Sequence, residues 1–370
     1  MFPFGRLAQG GDVVDREVYM KDLILRLQSG QSAIIAGPRR MGKSSVAREI
    51  LRQLQTQGHY VASVDLFAAD SVDHFASLLM QSLLENRLGA VRQGMQTFTS
   101  LLHWLGRPDV RTRIGELEIG VQFPVDASPH DQLISVLAWG EKMAAKAGKT
   151  LVVLFDEFQD VQRLGGDALI KKMRAAMQTL EHTSFLFLGS QPSLMKTLFA
   201  DRRQAFYRFA TFLPLPPIPE AAWQAYVEGR LEQQGLTITA PAMQLLLDKT
   251  GGHPYGMMGV VSFAYFLAKI ADVTRIDADT VSVADAQMMD HLSAVYDQQL
   301  REIRRVSHAD EVCMRVIEHQ PPYGAPYARS VVSKALSHLM DSGLIFKLAA
   351  RGHYTITEPM FARWMREKRS

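Results

Sequence analysis

The chain has 370 residues, 47% hydrophobic and 21% charged, with a formal net charge of +3. Those proportions exclude a disordered or low-complexity chain and permit roughly two or three domains with sizeable cores. A single cysteine, Cys313, excludes a disulfide framework or a cysteine-based zinc site and reads as a small core residue in an apolar helical run.

The N-terminus lacks a basic segment followed by an apolar one, so no signal peptide is expected, and the longest apolar run, 257–270, is too short to span a bilayer. A cytoplasmic protein fits these features best. Charge is unevenly placed. Residues 301–370 hold 12 Lys/Arg against 7 Asp/Glu, a basic bias compatible with nucleic acid but shared by many proteins without it.

In chain order, residues 15–27 are predicted as an amphipathic helix with Asp15 as N-cap and Met20, Leu23, Ile24 and Leu27 on one face. Its position in the topology suggests that the segment 14–17 contacts a nucleotide base. Next comes an apolar strand leading into Gly37-Pro38-Arg39-Arg40-Met41-Gly42-Lys43-Ser44-Ser45 and a helix to about Gln55. The spacing G-x-x-x-x-G-K-S between a strand and a helix is that of a phosphate-binding P-loop. Gly37 and Gly42 allow successive N–H groups to face a phosphate, and the helix N-terminus adds partial positive charge. Lys43 is expected to reach the β- and γ-phosphates of ATP, and the Ser44 hydroxyl to ligate Mg2+.

A buried strand follows at 60–67, then a helix over 72–87. Residues 89–129 are hard to read; alternation over 113–123 suggests a strand or hairpin insert. A helix over 130–147 precedes the run Leu151-Val152-Val153-Leu154-Phe155-Asp156-Glu157. Apolar residues ending in adjacent carboxylates make a strand buried on both faces whose acids emerge beside the P-loop. Asp156 would hold magnesium, directly or through water, and Glu157 would orient the attacking water.

A helix over 167–181 and a strand over 184–190 follow. Ser190 and Gln191 are placed either to sense the γ-phosphate or to cap the next helix. Arg202, Arg203 and Arg208 precede a short strand at 210–215 and the boundary prolines Pro216, Pro217 and Pro219. One of these arginines, Arg208 first, is a candidate finger in cis or across an oligomer; a solvated basic helix end is the alternative. From 220 to 294 the chain reads as a small helical lid in which His253 shapes a turn. Beyond 309, two helices (the second over 328–341) and strands at 344–348 and 353–357 give the order of a winged helix. Arg329, Ser330, Ser333, Lys334 and Ser337 would face outward on its second helix, for duplex DNA or for a docked protein.

With both signatures and the tail in view, the chain resembles the archaeal-type ATPase family of P-loop ATPases related to AAA+ and STAND proteins. The resemblance rests on the P-loop with its paired arginines, Leu154 to Gln159, Gly189-Ser190 with Met195, Gly251-Gly252-His253-Pro254-Tyr255, and Tyr354 to Pro359. Asp15 departs from it, standing where the family's N-terminal box usually has glycine. It implies an α/β fold with a five-stranded parallel core, a helical lid and a C-terminal winged helix, here over 1–216, 217–300 and 301–370. The expected activity is magnesium-dependent ATP hydrolysis that moves lid and winged helix on DNA or a protein–DNA assembly. The competing expectation is a slow nucleotide-controlled STAND-like switch or scaffold acting on a protein partner or in a homo-oligomer.

Overall fold

A computed structural model describes residues 1–88, 128–324, 326–348 and 352–368; the strand or hairpin expected at 113–123 lies outside them. Its centre is a parallel sheet of β1 (Ala33–Ala36), β2 (Tyr60–Asp65), β3 (Leu151–Asp156), β4 (Thr183–Gly189) and β5 (Thr211–Phe212), in the order β2-β3-β4-β1-β5. Strand periodicity sorts its side chains. Val153, Phe155, Phe185 and Phe187 enter one core, and Val152, Leu154, Leu186 and Leu188 enter the other. Helices α1 (Glu17–Gln28) and α2 (Lys43–Thr56) cover the second face. The first is covered by α3 (Val72–Leu88), α4 (Pro129–Ala147), α5 (Val161–Met177) and α6 (Pro192–Ala200). There Phe158 and Phe187 pack with ring centroids 4.6 Å apart, fixing the turn that follows β3 against β4.

Several boundaries differ from the sequence reading. Asp15 does not cap α1; it has φ +52°, and the helix begins at Glu17 with Arg16 in the cap position and no side-chain capping bond. The left-handed backbone at Asp15 is one that glycine adopts without penalty and aspartate tolerates. α5 starts at Val161 rather than near 167 because two helical pieces meet at Gly166 (φ 57°, ψ −158°). β5 keeps only Thr211–Phe212, since the prolines that follow cannot donate to a ladder.

Beyond the sheet lie α7 (Glu220–Glu232), β6 (Thr237–Ile238), α8 (Ala240–Thr250), α9 (Pro254–Ile270), β7 (Arg275–Ile276) and α10 (Ala278–Ile303). β6 and β7 form a small parallel pair that two-residue strands leave invisible to pattern reading. The C-terminal unit contains α11 (Ala309–Ile317), α12 (Arg329–Asp341), the antiparallel strands β8 (Ile345–Lys347) and β9 (Tyr354–Ile356), and α13 (Pro359–Glu367). Helix, helix, hairpin is the order expected there; α13 was not anticipated. One continuous apolar cluster joins Phe2 and Val14 to Trp223, Met257 and Tyr296 and on to Leu336 and Phe361. The helices after residue 217 and the C-terminal unit therefore share a core, and α10 runs across the expected division at 300.

Candidate functional site

The strand order brings the carboxyl ends of β1, β3 and β4 together, the place where open α/β sheets bind ligands. Ala36 pairs with Gly189, and the Gly37 N–H donates to the Gly189 carbonyl at 3.3 Å, so the P-loop starts beside Ser190. Gly42, at φ +87°, turns the loop into α2 from a conformation that side chains disfavour. Arg40, also left-handed at φ +65°, completes the loop's curl.

Lys43 is 6% exposed, and its ammonium donates to the Pro38 carbonyl across the loop at 2.5 Å. Burial pulls its pKa down to about 8, although Glu157 and Asp156 favour the charge. Such an ammonium gains greatly from a phosphate. The Ser44 hydroxyl donates to Asp156, whose carboxyl is pushed up chiefly by burial. These two hard oxygen donors fit Mg2+, which takes few protein ligands and keeps waters and phosphate oxygens. No cluster of three or more His, Cys, Asp or Glu able to hold a metal occurs among the described residues.

Glu157 follows Asp156 with φ 48° and ψ 46°, a left-handed turn that swings its carboxylate toward β4. That carboxylate accepts from the Ser190 hydroxyl at 2.6 Å, from the Ser190 N–H at 3.3 Å and from the Gln159 amide at 2.5 Å. Ser190 is thus 2% exposed and spent on Glu157, while Gln191 occupies the N-cap of α6 without a side-chain bond. Gln191 thus holds the cap position, but neither side chain makes a capping bond. Gln159, 6% exposed, is a site neighbour that sequence reasoning missed; its position two residues past the acidic pair was the available signal.

Arg39 is exposed and, with Arg40, Met41 and Ser44, lines the cavity in front of the loop. Ser45 lines the cavity too, and its hydroxyl accepts from the Ala8 N–H at 3.1 Å, tying the N-terminal segment to α2. The cavity has a volume of about 570 Å³, a size suited to a nucleotide. Its far wall is apolar, built from Phe4, Leu7, Val13, Val14, Trp223 and Met258. Of the expected segment 14–17, Val14 and Arg16 reach it; the Arg16 guanidinium also donates to the Pro216 carbonyl at 2.7 Å. Phe4, Leu7, Trp223 and Met258 of this wall escaped the sequence because their partners are far away in the chain: Phe4 packs on Tyr255 at 5.2 Å.

The arginines after α6 are not brought to this site. Arg208 lines a separate depression with Gly30, Gln31 and Ser32, at the amino end of the sheet, opposite the P-loop. Arg203 pairs with Asp201 at 2.8 Å, and Arg202 is exposed. Within one chain, Arg208 thus faces away from the P-loop. His253 is 6% exposed at the N-cap of α9, as a turn former, with its pKa lowered to about 4 by burial. Arg329 and Lys334 are exposed on α12. No helix among the described residues is long and apolar enough to cross a membrane.

Comparisons place this geometry. The family described as an ATPase domain predominantly from Archaea matches residues 13–260. No curated protein matches the sequence. Among solved structures, the Walker-type ATPase PABY2304 of Pyrococcus abyssi superposes with a TM-score of 0.71 at 16% identity, covering 97% of this chain and 98% of its own. The ORC2 protein of Aeropyrum pernix, in ADPNP–ADP complexes, gives 0.61 at 15% identity over 95% and 92%. The ORC1 protein of Aeropyrum pernix in complex with DNA gives 0.50 at 15% over 96% and 93%. At such identities the likeness is one of fold.

Proposed function

The chain belongs to the family of ATPase domains found predominantly in Archaea and is an ATPase; from that premise we propose that it hydrolyses ATP with Mg2+ to move its C-terminal unit on duplex DNA or on a protein–DNA assembly. The observation that carries the reading is the convergence of Lys43, the Ser44–Asp156 pair and Glu157 at the carboxyl ends of three adjacent strands. Gly37 to Ser44 would hold the phosphates, and Ser44 and Asp156 the magnesium. The apolar wall at Val13, Val14 and Trp223 would take the base. Bound magnesium supplies charge neutralisation between the phosphates. Lys43 stabilises the charge that develops on the γ-phosphate, and Glu157 positions the water that attacks it. For that task Glu157 has to leave Ser190 and Gln159.

We read residues 1–216 as the ATPase core, 217–300 as its lid and 301–370 as a winged helix whose α12 enters a DNA groove through Arg329 and Lys334. The DNA complex of the similar ORC1 fold supports that choice. Any arginine reaching the γ-phosphate from the loop at 201–210 comes from a second copy. The three bonds on the Glu157 carboxylate favour a second reading, a slow switch whose nucleotide state sets binding to a protein partner.

The test is ATP turnover with and without duplex DNA, repeated with Arg329 and Lys334 both changed to alanine. Duplex stimulation that weakens with salt and disappears in the double variant supports the first reading. Turnover indifferent to duplex, with no duplex affinity at low salt, overturns it in favour of the switch.

A further inference from the structure

Arg40 belongs to the phosphate-binding loop by sequence, yet its side chain leaves the loop for the C-terminal unit. Its guanidinium lies 4.2 Å from the centroid of the Tyr255 ring, at the start of α9. It also lies 3.4 Å from Glu358, 318 positions away in the chain. Both side chains are partly buried, 31% exposed for Arg40 and 13% for Glu358, so water weakens this pair less than a surface pair. Glu358 holds the N-cap position of α13 but makes no capping bond there. Its carboxylate instead accepts from the hydroxyl of Tyr296, a ring buried in the shared core, and from Arg40.

Glu358 rides on a rigid body. A Cβ on Gly251 would stand 2.9 Å from Pro359, and one on Gly256 would stand 3.0 Å from Met360 Sδ, so α13 sits directly on the turn before α9 and on α9 itself. Arg363 then bonds Asp285 at 2.6 Å and the Lys249 carbonyl at 3.1 Å, fastening α13 to α10 and α8. The same body meets the nucleotide site once more: a Cβ on Gly343, in the turn after α12, would lie 3.5 Å from the carbonyl oxygen of Ser190, the residue that holds Glu157.

We propose that Arg40 is a two-position contact that couples nucleotide occupancy to the C-terminal unit. Without nucleotide it is held by Glu358 and Tyr255; with ATP bound it turns to the terminal phosphates. The proposal rests on reading Gly37 to Ser44 as the phosphate cradle. Arg40 already lines that cavity, so a side-chain rotation suffices. A phosphate group offers more charge and more acceptor oxygens than one carboxylate, and a guanidinium matches its geometry. Release leaves Glu358 with Tyr296 alone and frees the helices that carry it. Because coupling is reciprocal, whatever factor ATP takes from the Arg40–Glu358 contact, that contact takes from ATP affinity.

The experiment is an equilibrium titration of the full chain with Mg2+ and a fluorescent ATP analogue, for wild type, Glu358→Gln, Arg40→Gln and the double variant. Removing the competing carboxylate is expected to tighten binding about 10-fold, a typical coupling factor. Arg40→Gln is expected to weaken it, and the double variant to match Arg40→Gln alone. Glu358→Gln binding no tighter than wild type, while Lys43→Ala abolishes binding, overturns the coupling and leaves the cradle standing. Wild type that binds no nucleotide removes both. Hydrogen exchange on wild type tests the same point without a variant: ATP is expected to speed exchange at amides 360–362, and unchanged or slower exchange there overturns the proposal.

Discussion

Replacing Lys43 with methionine should make the nucleotide-free protein more stable while destroying its affinity for ATP. Burial brings the lysine pKa from 10.5 to about 8. That difference is worth about 3 kcal/mol against the charged form at neutral pH, as an order of magnitude. Methionine keeps the stem's length and apolar packing but forfeits the bond to the Pro38 carbonyl, worth about 1 kcal/mol. The expected gain is roughly 1–2 kcal/mol. Urea unfolding of both proteins at pH 7 without nucleotide measures it. The pH dependence has a definite sign. Below pH 8 the lysine is charged in both the folded and the unfolded chain, so the wild type carries the whole penalty. Between 8 and 10.5 the folded wild type sheds the proton first, and the gap between the two proteins closes. A variant no more stable than wild type at pH 7, or a gap that does not narrow by pH 10.5, refutes the assignment of Lys43 as a charge held at a cost for a phosphate.

Two further outcomes follow from packing. Gly251→Ala is expected to lose about 2 kcal/mol or more, because the backbone has φ +58° and the new methyl would meet Pro359 at 2.9 Å; thermal unfolding checks it. Cys313, buried with its thiol pushed up to about 12, should resist maleimide labelling in the native protein and react on unfolding; rapid native labelling contradicts the described core.

The parts of the fold and site that could be read in the sequence are those whose chemistry is local. Gly37 to Ser44 is covalently continuous, so its spacing and flanks sufficed to place it, and the five apolar residues before Asp156 could only be a strand buried on both faces. Alternation on that strand even sorts its side chains between two cores, as Val152 and Val153 show. What escaped is set by tertiary contact. Nothing near Arg40 in the chain announces Glu358, and nothing near Val14 announces Trp223. The location of Arg208 was illegible for the same reason: a basic run near a strand does not say which end of the sheet it occupies. Asp15 looked like a helix cap because aspartate favours that position, but its left-handed backbone serves a turn instead. Ser190 and Gln191 looked alike in sequence; depth separates them, since Ser190 is buried and bonded to Glu157 while Gln191 is only half-buried.

The central claim is that this chain binds ATP at Lys43 and Ser44 and breaks it with Glu157. Its most direct test compares wild type with Glu157→Gln in two assays on the same preparations: ATP binding with Mg2+ by calorimetry, and phosphate release with enzyme in excess. The account predicts similar affinity in both proteins and release slowed at least about 100-fold in the variant, the usual worth of a positioned base. Equal rates of phosphate release in the two proteins, or no ATP binding by the wild type, would contradict it.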